Sequence, residues 1–144
     1  MGQRRRAREY ALQMMFQIDV TGVTPGEVFA QFWHSQPAAD GIRDFAETLV
    51  TGVNAELESL DRRLGDLARN WRLERMAVVD RNVLRIALWE LLHAPETPPA
   101  VVIDEAIEVA KKYGSHESGA FINGVLDAAR RSLPGSTTQP SGGE

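Results

Sequence analysis

The sequence predicts an all-α fold, a bundle of about seven helices. Three observations predict it. Apolar residues recur at spacings of three and four through most of the 144 residues, no stretch alternates apolar and polar residues as a half-buried strand would, and glycine, proline and capping signals separate the periodic segments. No internal repeat is present. A chain of this length is expected to form one domain with a core that needs neither metal nor disulfide to support it.

Ala7, Tyr10, Ala11, Met14, Met15 and Ile18 share one face of a first helix, which Gly22 ends. Thr24-Pro25-Gly26-Glu27 then reads as an N-cap, a proline in the first turn and a capping-box glutamate, opening a short helix to about Ser35. Asp40 is placed to cap a third helix, whose apolar stripe is Ile42, Phe45, Leu49, Val50, Val53, Leu57 and Leu60. The charged stretch 61–76 keeps Leu64, Leu67, Trp71, Leu73 and Met76 at helical spacing and predicts one or two short linking helices.

From Val78 to Leu92 the pattern is apolar nearly all round, as for a central helix covered on several sides. A proline-rich loop, 93–99, precedes an amphipathic helix through Val101, Val102, Ala106, Ile107, Val109 and Ala110 that ends at Gly114, with Glu108 and Lys112 spaced to pair across one turn. Ser115 is placed to cap a last helix carrying Glu117 in its first turn and Phe121, Ile122, Val125 and Leu126 on its apolar face. Residues 134–144 hold nothing to bury and are expected to form a disordered tail. The expected division is one domain over 1–133, with an N-terminal three-helix part over about 3–60 and a C-terminal part over about 61–133.

The net charge of −4 conceals an asymmetry. Arg4, Arg5, Arg6 and Arg8 place four of the 16 basic residues in the first eight positions, leaving 12 against 20 acidic residues in the rest, a balance of −8. Binding of a polyanion would therefore be local to the N-terminus. There are no cysteines, which removes thiolate metal sites and cysteine nucleophiles and suits a reducing cytoplasm. No apolar run approaches the roughly 20 residues of a membrane span, and no signal-type stretch is present, so neither membrane nor export is expected.

Signals for catalysis are poor. His34, His93 and His116 lie in separate segments without paired metal spacing, and Asp104 with Glu108 reads as a solvated acidic face. No phosphate loop, dinucleotide fingerprint or nucleophile elbow appears. No enzyme activity, cofactor or metal is expected. The arginines differ, because their helix continues through Gln13 and Phe16, an amide able to hydrogen-bond and a ring able to stack a base. Arginine's planar fork suits phosphate, and a helix N-terminus adds partial positive charge. The alternatives are a solvated basic tail and a Phe16 packed in the core.

Two segments go further: Arg4-Arg5-Arg6-Ala7-Arg8-Glu9 with Ala11-Leu12-Gln13, and the run from Asp80 to Leu126. Val83-Leu84-Arg85-Ile86-Ala87-Leu88-Trp89-Glu90-Leu91, Ile103-Asp104-Glu105-Ala106-Ile107-Glu108-Val109-Ala110-Lys111 and Phe121-Ile122-Asn123-Gly124-Val125-Leu126 resemble the NusB family of transcription antitermination factors throughout. The likeness extends to about Leu133, with 22–75 matching in pattern more than identity.

The resemblance implies two packed helical subdomains and a non-enzymatic adaptor. Such a protein binds single-stranded boxA-type RNA together with the small-subunit ribosomal protein NusE and serves the RNA polymerase antitermination complex, especially in ribosomal RNA transcription. It implies RNA-binding roles for Arg4, Arg5, Arg6, Arg8 and Gln13, and for Glu117 and Phe121 at the start of the last helix. Phe16, Glu74, Asp80 and Arg81 match the face that meets NusE, whereas Arg85 and Asp104 match structural positions. Gly119 and Ala120 stand where relatives often carry larger polar or basic side chains, and Phe16 lacks the hydroxyl of the tyrosine common there.

Both a monomer and a homodimer fit the resemblance. A similar helical domain precedes the catalytic domain of some ribosomal RNA cytosine methyltransferases. That arrangement requires an α/β domain with a glycine-rich cofactor loop, which this sequence does not contain. A protein-binding adaptor with a merely solubilising basic tail is the remaining alternative. Four arginine–phosphate contacts would give a salt slope of about −3 on a single strand.

Overall fold

The computed structural model describes residues 2–68 and 75–133. These form seven helices: α1 (Gln3–Thr21), α2 (Pro25–Ser35), α3 (Asp40–Ala55), α4 (Leu57–Ala68), α5 (Val78–His93), α6 (Pro99–Tyr113) and α7 (Ser118–Ser132). The expected all-α class is observed. Trp71, Leu73 and Glu74 lie outside the described residues, as does the 134–144 tail.

The local signals act largely as read. Gly22 adopts φ 78°, and its N–H donates to the Ile18 carbonyl to close α1. The Thr24 hydroxyl accepts from the Glu27 N–H while the Glu27 carboxylate accepts from the Thr24 N–H, completing the capping box. Two expected caps are absent. Asp40 is the first residue of α3, and Ala39 occupies the cap without a side-chain bond. Ser115 does not cap α7: Glu117 holds that position, and the Ser115 N–H donates to the Ser118 hydroxyl at 2.9 Å, pinning the turn between α6 and α7. The apolar stripe read across 42–60 is cut at Glu56, so Leu57 and Leu60 belong to α4.

α5 is the hub, packing against α1, α3, α4, α6 and α7. Every residue from Asn82 to Leu88 is buried, as its nearly unbroken apolar pattern requires. α1 departs from its reading as a helix with one buried face. Its residues Ala7–Leu12, together with Met14 and Met15, are all buried, because α3, α5, α2 and α6 surround it. A continuous apolar cluster links residues from all seven helices.

Close approach of α3 to α5 depends on Gly52, over which the Trp89 indole lies; a Cβ there would sit well inside van der Waals contact with the ring. Gly52→Ala is expected to lower the unfolding free energy by about 1–3 kcal/mol, the usual range for overpacking. Equilibrium urea denaturation measures it, and an unchanged midpoint would show that the indole has room to move.

Candidate nucleic-acid interface on helix α1

Helix geometry gives the four N-terminal arginines different surroundings. Arg4 and Arg8, one turn apart, flank Phe45 of α3, with guanidinium carbons 4.0 and 5.5 Å from the ring centre. Arg4 is exposed and has no hydrogen-bond or carboxylate partner among the described residues. Arg6 is exposed and donates to the Tyr10 hydroxyl at 3.4 Å. Arg5 is half-buried and makes a bidentate pair with Glu105 of α6, Nε–Oε1 2.7 Å and Nη2–Oε2 2.8 Å.

Arg8 corrects the reading of four surface arginines. It is 6 % exposed and forms a bidentate pair at 2.7 and 2.8 Å with Glu90 of α5, itself 1 % exposed. Arg8 therefore belongs to the packing that holds α1 in place, and its donors do not face solvent.

Beside this end of α1 lies an open cleft of about 710 Å³, lined by Arg5, Arg6, Glu9, Ile42, Glu108 and Lys112 among others. Lys112 is the basic residue that spacing missed. Instead of pairing with Glu108, its ammonium reaches the buried Glu9 carboxylate at 3.2 and 3.3 Å, and Glu108 pairs with Lys111 at 3.6 Å. Tyr113 also donates to Glu9 at 3.3 Å, and Gln13 donates to the Tyr113 hydroxyl at 3.5 Å. Gln13 is thus tied to the end of α6, four residues before Glu117.

Glu117 and Phe121 are not in the arginine cleft. They line a second cleft, of about 120 Å³, with Arg75, Met76, Asp80 and Ser115. Asp80, read as a partner contact, therefore stands beside two residues read as RNA contacts. Its Oδ1 atom is buried without a hydrogen-bond partner among the described residues. Arg81 pairs with Asp19 of α1 at 2.7 Å, and Arg85 joins Asp19 at 3.4 Å and Asp61 of α4 bidentately at 2.7 and 2.8 Å, which makes Arg85 structural. Phe16, one turn before Asp19 and Val20, is 45 % exposed and Val20 61 %, so Phe16 is an exposed apolar side chain and not a core residue. A Cβ at Gly119 would lie 3.2 Å from Lys111 Cγ, so the lysine stem already covers this position.

Two carboxylates carry the mark of these pairs. Hydrogen bonds from Arg5 outweigh partial burial and hold Glu105 below the usual carboxylate range. At Asp19 burial opposes ionisation, but bonds from Arg81 and Asn82 with the charge of Arg85 outweigh it, and this carboxyl is also lowered. His34, His93 and His116 are exposed, with His93 2.8 Å from Glu56. Among the described residues no group of acidic or histidine side chains could hold a metal, and no helix is long and apolar enough to cross a membrane.

The family model described as the NusB family matches residues 5–131. The chain belongs to the NusB family. The transcription antitermination protein NusB of Sorangium cellulosum (strain So ce56) is 50 % identical over 133 residues, spanning 92 % of this chain and 95 % of that one. Among solved structures, NusB from T. maritima is 34 % identical with TM-score 0.80, covering 91 % of this chain and 93 % of its own. A chain of the antitermination factors NusB and NusE in complex with double-stranded RNA is 27 % identical with TM-score 0.84, covering 92 % and 99 %. As a NusB-family member the chain is a transcription antitermination factor and not an enzyme.

Two measurements test the pairs. Arg8→Ala strands a buried carboxylate and is expected to cost about 3–5 kcal/mol, whereas Arg8→Met with Glu90→Leu recovers most of it; equal losses in urea unfolding for the single and the double variant would contradict this account. The lowered carboxyls of Glu105 and Asp19 contribute stability that is fully present above the ordinary carboxylate range near pH ~4 and is lost as pH falls through their depressed values. The urea midpoint of Asp19→Asn/Glu105→Gln should accordingly fall less steeply between neutral and acid pH than that of the wild type.

Proposed function

We propose that this NusB-family factor binds a boxA-type single-stranded RNA together with NusE, in the cytoplasm, and carries the pair to the RNA polymerase antitermination complex. The observation that carries the reading is the exposed basic end of α1, where Arg4 and Arg6 have no carboxylate partner among the described residues and Arg6 lines the open cleft. The fork of Arg4, stacked on Phe45, is ready for a phosphate without further ordering.

From there a strand can follow α1 past Gln13 and Tyr113 to the second cleft. Phe121 offers a ring for stacking, and the Glu117 carboxylate accepts hydrogen bonds from base amino groups. The buried, unpartnered Asp80 oxygen at that cleft supports a donor from NusE or RNA arriving there. Exposed Phe16 and Val20, beside the Asp19–Arg81 pair, supply the apolar centre and charged surround usual for a protein contact, and we assign NusE to that face.

Binding of a boxA-like oligonucleotide and a scrambled control, with and without NusE, tests both surfaces. Arg4→Ala/Arg6→Ala should weaken RNA binding at least tenfold at low salt and leave NusE binding unchanged. Phe16→Ala should do the reverse, weakening NusE binding by about 1–2 kcal/mol or more as a hot-spot truncation does. RNA ignored by the wild type while NusE still binds would reduce the chain to a protein adaptor.

A further inference from the structure

The basic end of α1 displays less free charge than its sequence contains. Arg8 is neutralised by Glu90, Lys112 by Glu9, and Arg5 by Glu105; Arg4 and Arg6 have no carboxylate within ion-pair distance among the described residues. The three pairs differ in access. The Arg8 and Glu90 side chains are only 7 % and 1 % exposed, beyond the reach of a ligand, but Arg5 and Glu105 are 33 % and 20 % exposed; Arg5 lines the open cleft and, with Glu105, a neighbouring one.

A carboxylate held by the Nε/Nη2 edge of arginine makes the same two parallel hydrogen bonds that a phosphate makes. Glu105 therefore occupies the fork that an RNA phosphate would take. It also has a second cation in reach, because Arg8 Nη1 lies 3.9 Å from Glu105 Oε1. If Arg5 turns to a phosphate, Glu105 can lean on Arg8 and is not left as an unpaired, partly buried anion, which keeps the exchange inexpensive.

We infer that Glu105 is an internal surrogate for an RNA phosphate: it holds Arg5 in register in the free protein, competes with RNA for it, and so sets the affinity and salt dependence of the site. This rests on the RNA-binding reading above. Arg4 and Arg6 are free outright and Arg5 is shared between Glu105 and the RNA, so the wild-type salt slope on a single strand lies between about −1.4, for two cations, and about −2.1, for three, short of the −3 that four free arginines would give.

The test is a salt titration of a boxA-like oligonucleotide against the NusE complex of the wild type, Glu105→Gln, Arg5→Gln and the double variant. Glutamine keeps an acceptor for Arg5 and removes only the charge. Glu105→Gln is expected to bind RNA about two- to fivefold more tightly at low salt, the scale of an exposed ion pair, with the slope steepened to about −2.1 by one more free cation. The gain should vanish in the Arg5→Gln background. In the wild type, the Arg5 Nε proton resonance should shift when RNA is added while that of Arg8 stays put. Unchanged or weaker binding by Glu105→Gln, a gain that persists without Arg5, or a stationary Arg5 resonance would each overturn the inference while leaving RNA binding intact. No RNA binding by the wild-type complex would remove both readings together.

Discussion

The molecule is organised around one buried ion pair, Arg8 with Glu90. It joins the two helices that are most completely enclosed, α1 and α5, at a point where both side chains have left water. Such a pair is poor evidence of stability, since its attraction is largely cancelled by desolvation, but it is demanding about geometry, because any slip of one helix leaves two uncompensated charges. α1 is thereby fixed in rotation and height on α5. Every other feature of its surface, from the arginine end to Phe16, takes its position from that anchor.

Rotation along α1 explains why neighbouring arginines behave differently. With Arg8 turned inward to Glu90, Arg4 one turn earlier lies on the same side, at the rim over Phe45. Arg5 falls toward α6 and finds Glu105, and Arg6 falls toward the cleft beside Tyr10. The cluster that reads as a uniform charged run is a graded series, from a buried structural cation through a paired and accessible one to two that are free. Further along the helix, Asp19 tethers the far end of α1 to Arg81 and Arg85 of α5, and Arg85 in turn holds Asp61 of α4.

How much of this was legible in the sequence follows from the range of each signal. Gly22 and the Thr24–Glu27 box depend on residues within one turn, and they act as read. The cap at Asp40 failed because the helix begins at that residue, and the cap at Ser115 because the Ser118 hydroxyl takes its N–H instead. The arginine cluster was visible as composition, whereas spacing alone left Phe16 between a core position and an exposed one, and its exposure came from the fold. The roles of Glu90, Glu105 and Lys112 were not, because their partners lie 82, 100 and 103 residues away in sequence. A faint signal existed: Glu90 is an acid inside the otherwise apolar stretch 86–92 of α5, and a charge there calls for a buried partner.

Acidic residues at this end of the molecule do what a neutral surface would not. Were Arg5 and Lys112 unpaired, the basic end would carry four free cations and bind any polyanion by charge alone, with affinity that owes little to base sequence. Pairing them with Glu105 and Glu9 lowers that indiscriminate term and leaves the donors in fixed places, so geometry weighs more in the choice of ligand. The second cleft, where Asp80 and Glu117 outnumber Arg75, works in the same direction, since its carboxylates favour a group with hydrogen-bond donors to offer. Selectivity along α1 is then set by where negative charge is retained, as much as by where arginines are displayed.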